Sequence, residues 1–116
     1  MLLRFAVSRH ALVAASLCAL LLAVQGASAQ VNERVKSLER AASLVGSDQL
    51  AEAERLLGQI LKAAPEEAAA LNLLGAIRAQ QGRLDDAGAL FARAVRADER
   101  LTGARMNLAH LHLLRR

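Results

Sequence analysis

Two histidines near the end of the chain, His110 and His112, are the side chains best suited to hold a metal ion. On a helix, a separation of two residues turns them about 200° apart. Histidines that share a metal on one helix are separated by three or four residues, and no third ligand accompanies this pair. We therefore interpret both as groove or interface histidines, and expect neither a metal site nor a cofactor.

The groups that could catalyse a reaction are equally few. The serines that follow the N-terminal segment are Ser37, Ser43 and Ser47. The acidic pairs are Glu66 with Glu67 and Asp85 with Asp86. Both pairs stand at predicted helix starts, the first of which begins with Pro65, and the positive end of the helix dipole accounts for them. We expect no enzyme.

The first 29 residues have the three-part organisation of a secretory signal peptide. Arg4 and Arg9 make a positive start, and residues 11–24 form an apolar core. The residues that define the predicted cleavage site are Ala27, Ala29 and Gln30. Cleavage before Gln30 would place the mature chain in a bacterial periplasm or outside the cell. Thirteen arginines against two lysines suggest a GC-rich bacterial genome.

Two alternatives leave this segment attached to a membrane. In the first, residues 1–24 stay as an uncleaved anchor, although their apolar core of about 14 residues is shorter than the ~20 that span a bilayer. In the second, Cys18 carries a lipid, although Leu17 stands where a small residue is expected. We favour the cleaved signal. On this interpretation the protein contacts a membrane only if the signal peptide is retained.

The composition of the mature chain restricts its partners. Cleavage leaves 87 of the 116 residues, enough for one small domain, and lowers the formal charge from +4 to +2. This near balance, with Phe91 as the only remaining aromatic residue, argues against binding to nucleic acid. Because Cys18 is the only cysteine, the mature chain has no disulfide, and helix packing must hold it together.

The sequence from Val31 onward has a helical pattern and repeats itself. Apolar residues recur at spacings of three and four. The predicted breaks, which leave five helices of about a dozen residues, lie at residues 46–48, Pro65, Gly82 and residues 102–103. An offset of 34 residues pairs Leu50 with Leu84, Ala53 with Ala87, Leu57 with Phe91, Ala70 with Ala104, Leu74 with Leu108 and Ile77 with Leu111. This period indicates a stacked array of helix pairs.

The second copy of the period resembles the tetratricopeptide repeat. Leu71 takes the position of the family's Trp, Leu74 and Gly75 match its Leu-Gly, and Ala87, Phe91 and Ala94 match its second helix. Arg78 replaces the Tyr and Glu99 the Pro. In the first copy Ala53, Leu57 and Pro65 are spaced as in the family, whereas Ile60 and Arg40 depart from it. The third copy keeps only a first helix, with Ala104, Asn107, Leu108 and Ala109 in the family's Ala-x2-Asn-Leu-Gly run.

The resemblance implies an all-α fold, a right-handed α-solenoid of antiparallel helix pairs with about five short helices after the signal peptide. The predicted divisions are a signal peptide at 1–29, a linker at 30–33, repeats at 34–67 and 68–101, and a partial third repeat at 102–116. Gly75 costs a helix about 0.5–1 kcal/mol relative to alanine. We expect it to mark the closest approach of two helices, near Ala87.

In this family the first helices of the repeats line a concave groove that holds a peptide or a partner's helix. The groove residues implied here are Asn72, Ala76, Ala79, Gln80, Met106 and His110. Asn72 and Gln80 can hydrogen-bond a peptide backbone, although both could equally be solvated polar positions. With only Lys36 and Lys62 present, a clamp for a terminal carboxylate is not expected. The implied function is that of a non-catalytic adaptor or scaffold.

Leucines crowd the last predicted helix: Leu108, Leu111, Leu113 and Leu114. An exposed apolar helix face attracts a partner. We therefore expect a homodimer, formed through this helix or by exchanging it. The alternative is that the chain is a fragment of a longer array, whose next helix would cover this face.

Overall fold

The computed structural model describes residues 9–116, which form five α-helices and no strand. The helices are α1 (Arg9–Gly46), α2 (Leu50–Ala63), α3 (Ala68–Gln80), α4 (Leu84–Ala97) and α5 (Thr102–Leu114). By its internal contacts the chain divides into two compact units, Met1–Glu33 and Arg34–Arg116. The predicted all-α helical array is confirmed, and the second unit contains its packed part.

The first helix differs from the prediction. α1 runs without a break for 38 residues, so the linker expected at 30–33 is helical and the first helix after the signal is not a separate short one. The reason is local, because residues 30–33 contain neither glycine nor proline to end a helix. All residues from 9 to 33 are exposed, and the remainder of the predicted signal, with Arg4, lies outside the described residues.

The second unit buries three clusters of apolar side chains between its helices. The first joins the end of α1 to α2 and α3 and contains Ala41, Leu44, Ala53, Leu57, Ile60, Ala70 and Ile77. The second joins α3, α4 and α5 through Leu71, Ala94 and Ala104. The third joins α4 to α5 through Ala87, Phe91 and Leu111. Most of these residues belong to the 34-residue pattern, so the repeated positions are the interior ones.

Gly75 packs against the ring of Phe91. A Cβ built on Gly75 would lie 2.6 Å from Phe91 Cε1 and 2.7 Å from Cδ1, closer than side chains pack. The approach was expected between two backbones near Ala87, but it joins the backbone of α3 to the aromatic ring of α4. A large ring needs a larger gap than an alanine does, and the glycine leaves room for it.

The turns between the helices account for the remaining sequence signals. Pro65 was predicted at the start of a helix, but α3 begins at Ala68, and Pro65 and Glu66 form the turn before it. Arg93 of α4 donates hydrogen bonds to Pro65 O and to Glu66, both at 3.3 Å. Gly82 ends α3 in the left-handed region, with φ 75°, a conformation that glycine adopts without strain.

Candidate protein-binding groove

A concavity of about 360 Å³ lies between α3 and α5. Its lining residues are Ala76, Ala79, Gln80, Leu84, Phe91, Asn107, His110, Leu111 and Leu114. Those from α3 follow a spacing of three and four, and those from α5 continue this spacing over two turns. Each helix therefore contributes one face, and Leu84 and Phe91 of α4 complete the lining.

The α5 side of the concavity is positioned by α4. Leu111 is 3% exposed and packs with Ala87 and Phe91. A Cβ on Gly88 would lie 3.0 Å from Leu111 Cδ2, so the absence of a side chain at Gly88 lets Leu111 settle close to α4. The lining is thus anchored to the same helix that holds Phe91 against α3.

A pair of side-chain amides joins the two facing helices. Asn107 Nδ2 donates a hydrogen bond to Asn72 Oδ1 at 2.9 Å. Gly103, one turn before Asn107, lies next to the pair, since a Cβ there would be at an ordinary contact distance of 3.7 Å from Asn72 Nδ2. The bond links α3 to α5 directly. It also leaves Asn107 Oδ1 as an acceptor at the concavity.

Four of the six predicted groove residues line this concavity: Ala76, Ala79, Gln80 and His110. Two do not. The Oδ1 of Asn72 is occupied by Asn107, and Met106 is 66% exposed outside the lining. The sequence interpretation missed Asn107 as a groove residue, although its spacing of three, four and seven from His110, Leu111 and Leu114 puts all four on one helix face.

The leucines of α5 are not one exposed face. Leu108 and Leu111 pack against α4, whereas Leu113 and Leu114 are 62% and 61% exposed. A different face carries Arg105, Ala109 and His112, all exposed. The apolar surface that α5 presents to solvent is therefore smaller than its leucine content implies, and part of it belongs to the concavity.

No Asp, Glu, Lys or Arg side chain is among the residues that line the concavity. The arginines near its ends are paired with carboxylates, Arg83 with Asp86 at 2.6 Å and Arg115 with Asp85. Within residues 9–116, no three His, Cys, Asp or Glu side chains are grouped so that they could hold a metal ion. The surface can exclude water from an apolar group, and its few polar side chains can hydrogen-bond the polar atoms next to that group.

One ion pair supports α3 from the opposite side. Arg78, which stands where the family has Tyr, donates a hydrogen bond to Glu54 Oε1 of α2 at 2.5 Å. This hydrogen bond, with the charge of Arg78, lowers the pKa of Glu54 from its ordinary 4.5 despite partial desolvation. The ion pair thus links α2 of the first repeat to α3 of the second.

Consecutive helices that pack pairwise in a 34-residue period, with a concavity between the first helices of neighbouring pairs, define a helical-repeat protein. The tetratricopeptide repeat family model matches residues 38–101, more than half of the chain, and the chain belongs to that family. Its repeats generally mediate protein–protein interaction and are generally non-catalytic. No curated protein and no solved structure matches the chain.

Proposed function

We propose that this chain is a non-catalytic adaptor or scaffold that holds a peptide or a partner subunit against the groove between α3 and α5. The observation that carries the proposal is the concavity of about 360 Å³, lined by no Asp, Glu, Lys or Arg, which lies between the first helices of two successive repeats. Its volume is in the range of binding sites, and its few polar groups can orient a chain.

The test compares two alanines on different faces. Ala79 lines the concavity, and Ala89 is an exposed residue of α4 outside it. Partners are crosslinked in the native envelope and identified by mass spectrometry, with wild type, Ala79→Glu and Ala89→Glu. We expect a defined partner to be lost from Ala79→Glu and retained by Ala89→Glu. Equal recovery by the two variants, with melting temperatures like that of wild type, would contradict a role for the groove.

Export to the periplasm or the cell exterior is part of this proposal. It is supported by the basic start, the apolar core and the small residues Ala27 and Ala29. N-terminal sequencing of the protein recovered from cells should begin at Gln30. A start at Met1 would exclude cleavage and favour the alternative below.

The second candidate function is that of a membrane-anchored assembly factor in an envelope or secretion complex. The continuity of α1 favours it. Residues 11–32 carry no charged side chain and, at 1.5 Å per residue, extend over about 33 Å of helix, close to the hydrocarbon thickness of a bilayer. One 18-residue window has a mean hydropathy of 2.0 and none of it is buried. Recovery of the intact chain with the membrane fraction after alkaline extraction would support the anchor.

We also propose that the chain self-associates through α5, on the basis of its exposed apolar residues Met106 and Leu113, which are outside the lining of the concavity. Light scattering should give the mass of a dimer at micromolar concentration. Replacement of Met106 by glutamate should shift that mass toward the monomer. A monomer at every concentration would exclude the dimer.

A further inference from the structure

The lining of the concavity indicates what kind of group enters it. Resting on the proposed function, we propose that it takes one uncharged apolar side chain, of the size of leucine or phenylalanine, from an extended segment of a partner protein. The segment carries no charged residue at the anchoring position, and it does not need a free C-terminal carboxylate.

The size of the concavity supports an anchor of this kind. A cavity of about 150 Å³ lined by apolar side chains is large enough for benzene. The volume between α3 and α5 is about 360 Å³, which leaves room for an aromatic or branched side chain and part of its backbone. Its walls are formed chiefly by Ala76, Ala79, Phe91 and Leu111. A small anchor such as alanine would leave much of this apolar surface uncovered.

The charges exclude other anchors. Burying a carboxylate or an ammonium without a partner is strongly unfavourable, and the lining contains no Asp, Glu, Lys or Arg side chain. The arginines that could attract a carboxylate from the ends of the site already form ion pairs, Arg83 with Asp86 and Arg115 with Asp85. A basic anchor would therefore lose its hydration and gain no charged partner, and an acidic anchor would find only the imidazole of His110, which is exposed.

The polar atoms indicate an extended chain. Asn107 uses its Nδ2 to bond Asn72, which leaves Oδ1 to accept a hydrogen bond from a ligand N–H. Gln80 lines the same concavity and can donate to a ligand carbonyl. Free backbone N–H and C=O groups are available on an extended segment, whereas within a helix they are bonded to each other. The pair Asn107 and Gln80 thus suits an extended backbone next to the anchor.

Two neighbouring leucines provide a matched pair of variants. Leu114 lines the concavity and Leu113 does not, yet the two are 61% and 62% exposed on the same helix. Leu114→Glu places a charge at the concavity, and Leu113→Glu places the same charge beside it. Because both residues are largely exposed, neither variant should unfold the protein, and thermal melts check this.

The probe is a phage library of ten-residue peptides fused at both ends, so that no free carboxylate is present. The target is the full chain as processed by the expressing cell, held in lipid nanodiscs if its N-terminal segment is retained. The best peptide is then synthesised in acetylated and amidated form. Its affinity is measured with its apolar anchor intact and with that anchor replaced by alanine, aspartate or lysine.

We expect the selected peptides to share one Leu, Phe or Met without adjacent charges. Replacing it by alanine should weaken binding by about tenfold or more, since burial of such a side chain contributes roughly 1.5–3 kcal/mol. Aspartate or lysine should abolish binding. Leu114→Glu should also weaken it by about tenfold or more, and Leu113→Glu by less than about twofold.

Other results overturn the proposal in distinguishable ways. If the selected peptides depend on a charged residue and fail to bind Leu114→Glu, the apolar anchor is excluded and the groove function stands. Peptides unaffected by Leu114→Glu, or no selected peptides at all, would overturn both. A dimer that dissociates in Leu114→Glu would show that a second copy occupies the concavity. Equal weakening by both glutamate variants would indicate the exposed surface of α5 as the binding surface instead.

Discussion

α3 and α5 occupy equivalent positions in the 34-residue period but are covered differently. Ala70 and Ile77 of α3 are fully buried against the preceding helices, and their counterparts Ala104 and Leu111 are 0% and 3% exposed. On the other side, Leu71 is fully buried against α4 and α5, whereas its counterpart Arg105 is exposed.

The difference shows that one repeat pattern contains two separable faces. The face toward the preceding helices is apolar in both α3 and α5, because those helices cover it in both cases. On the other face, the position that holds Leu71 in α3, covered by α4 and α5, holds the exposed Arg105 in α5. This position is therefore apolar where neighbouring helices cover it and charged where it meets solvent.

The largest effect should come from shortening the buried side chain at this position. Leu71→Ala should lower the free energy of unfolding by about 2–5 kcal/mol, since Leu71 is fully buried and its removal leaves a cavity. Arg105→Ala is the matched change in α5 and should alter stability by less than about 0.5 kcal/mol. Urea denaturation of both variants measures the two values. Equal losses would show that the two helices are not differently covered.

The next effect concerns the close approach at Gly75. Gly75→Leu should destabilise the fold by about 1–3 kcal/mol, because even a Cβ would overlap the ring of Phe91. Ala109→Leu, the equivalent change in α5, should be tolerated, since Ala109 is exposed. Thermal denaturation compares the two.

A third variant separates packing from the intrinsic effect of glycine in a helix. Gly58 lies within α2, and a Cβ there would meet no atom within 4 Å. Gly58→Ala should therefore stabilise the protein by about 0.5–1 kcal/mol. If Gly75→Ala were also stabilising, the overlap with Phe91 would not limit that site.

A smaller effect should follow from breaking the amide pair that joins the two helices. Asn107→Ala should cost about 0.5–1.5 kcal/mol, the usual net contribution of a hydrogen bond. A double-mutant cycle with Asn72→Ala measures the coupling, which should be of the same size because the bond is 2.9 Å long. Fully additive losses would mean that the two amides do not act together.

The smallest effect should be a pH dependence from Glu54. Its pKa is lower in the folded protein than the ordinary 4.5, so its ion pair with Arg78 stabilises the fold above pH 4.5, and this contribution is lost as the pH falls through the folded-state pKa. Glu54→Gln should remove this part of the acid sensitivity. The effect should stay below about 1 kcal/mol, because the side chain of Glu54 is 38% exposed.

The control for this pH dependence is Glu99→Gln, at an exposed residue between α4 and α5. Its stability should follow that of wild type at every pH. Chemical denaturation between pH 3 and pH 7 compares the three proteins. An unchanged pH profile in Glu54→Gln would exclude the pair as a source of acid sensitivity.

Much of the fold was readable from the sequence because helix ends and buried positions depend on local residue types. Gly82 ends α3, and α4 begins with Asp85 and Asp86 in its first turn, as the pattern predicts. Residues 30–33, assigned as a linker, lie within α1, because the linker was inferred from the predicted cleavage site, which is a property of processing and not of helix stability. Pro65 lies in a turn before α3 because proline can precede a helix as well as begin it.

The groove was predicted less completely, because its lining depends on which helices face each other. Ala76, Ala79, Gln80 and His110 line the concavity, and the resemblance to the tetratricopeptide repeat implied them. The positions of Asn72 and Asn107 depend on a bond between residues 35 apart in sequence. No periodicity within either helix indicates which amide remains available to a ligand.

The sequence by itself determined the helical class and the 34-residue period, because both follow from the spacing of small and apolar residues along the chain, and the family, because its motif is matched residue by residue. Only the tertiary structure decided which leucines of α5 are buried, that Gly75 accommodates the ring of Phe91, and that Asn107 rather than Asn72 faces the concavity. These contacts join residues from different helices, and their distances depend on how side chains of unequal size pack together.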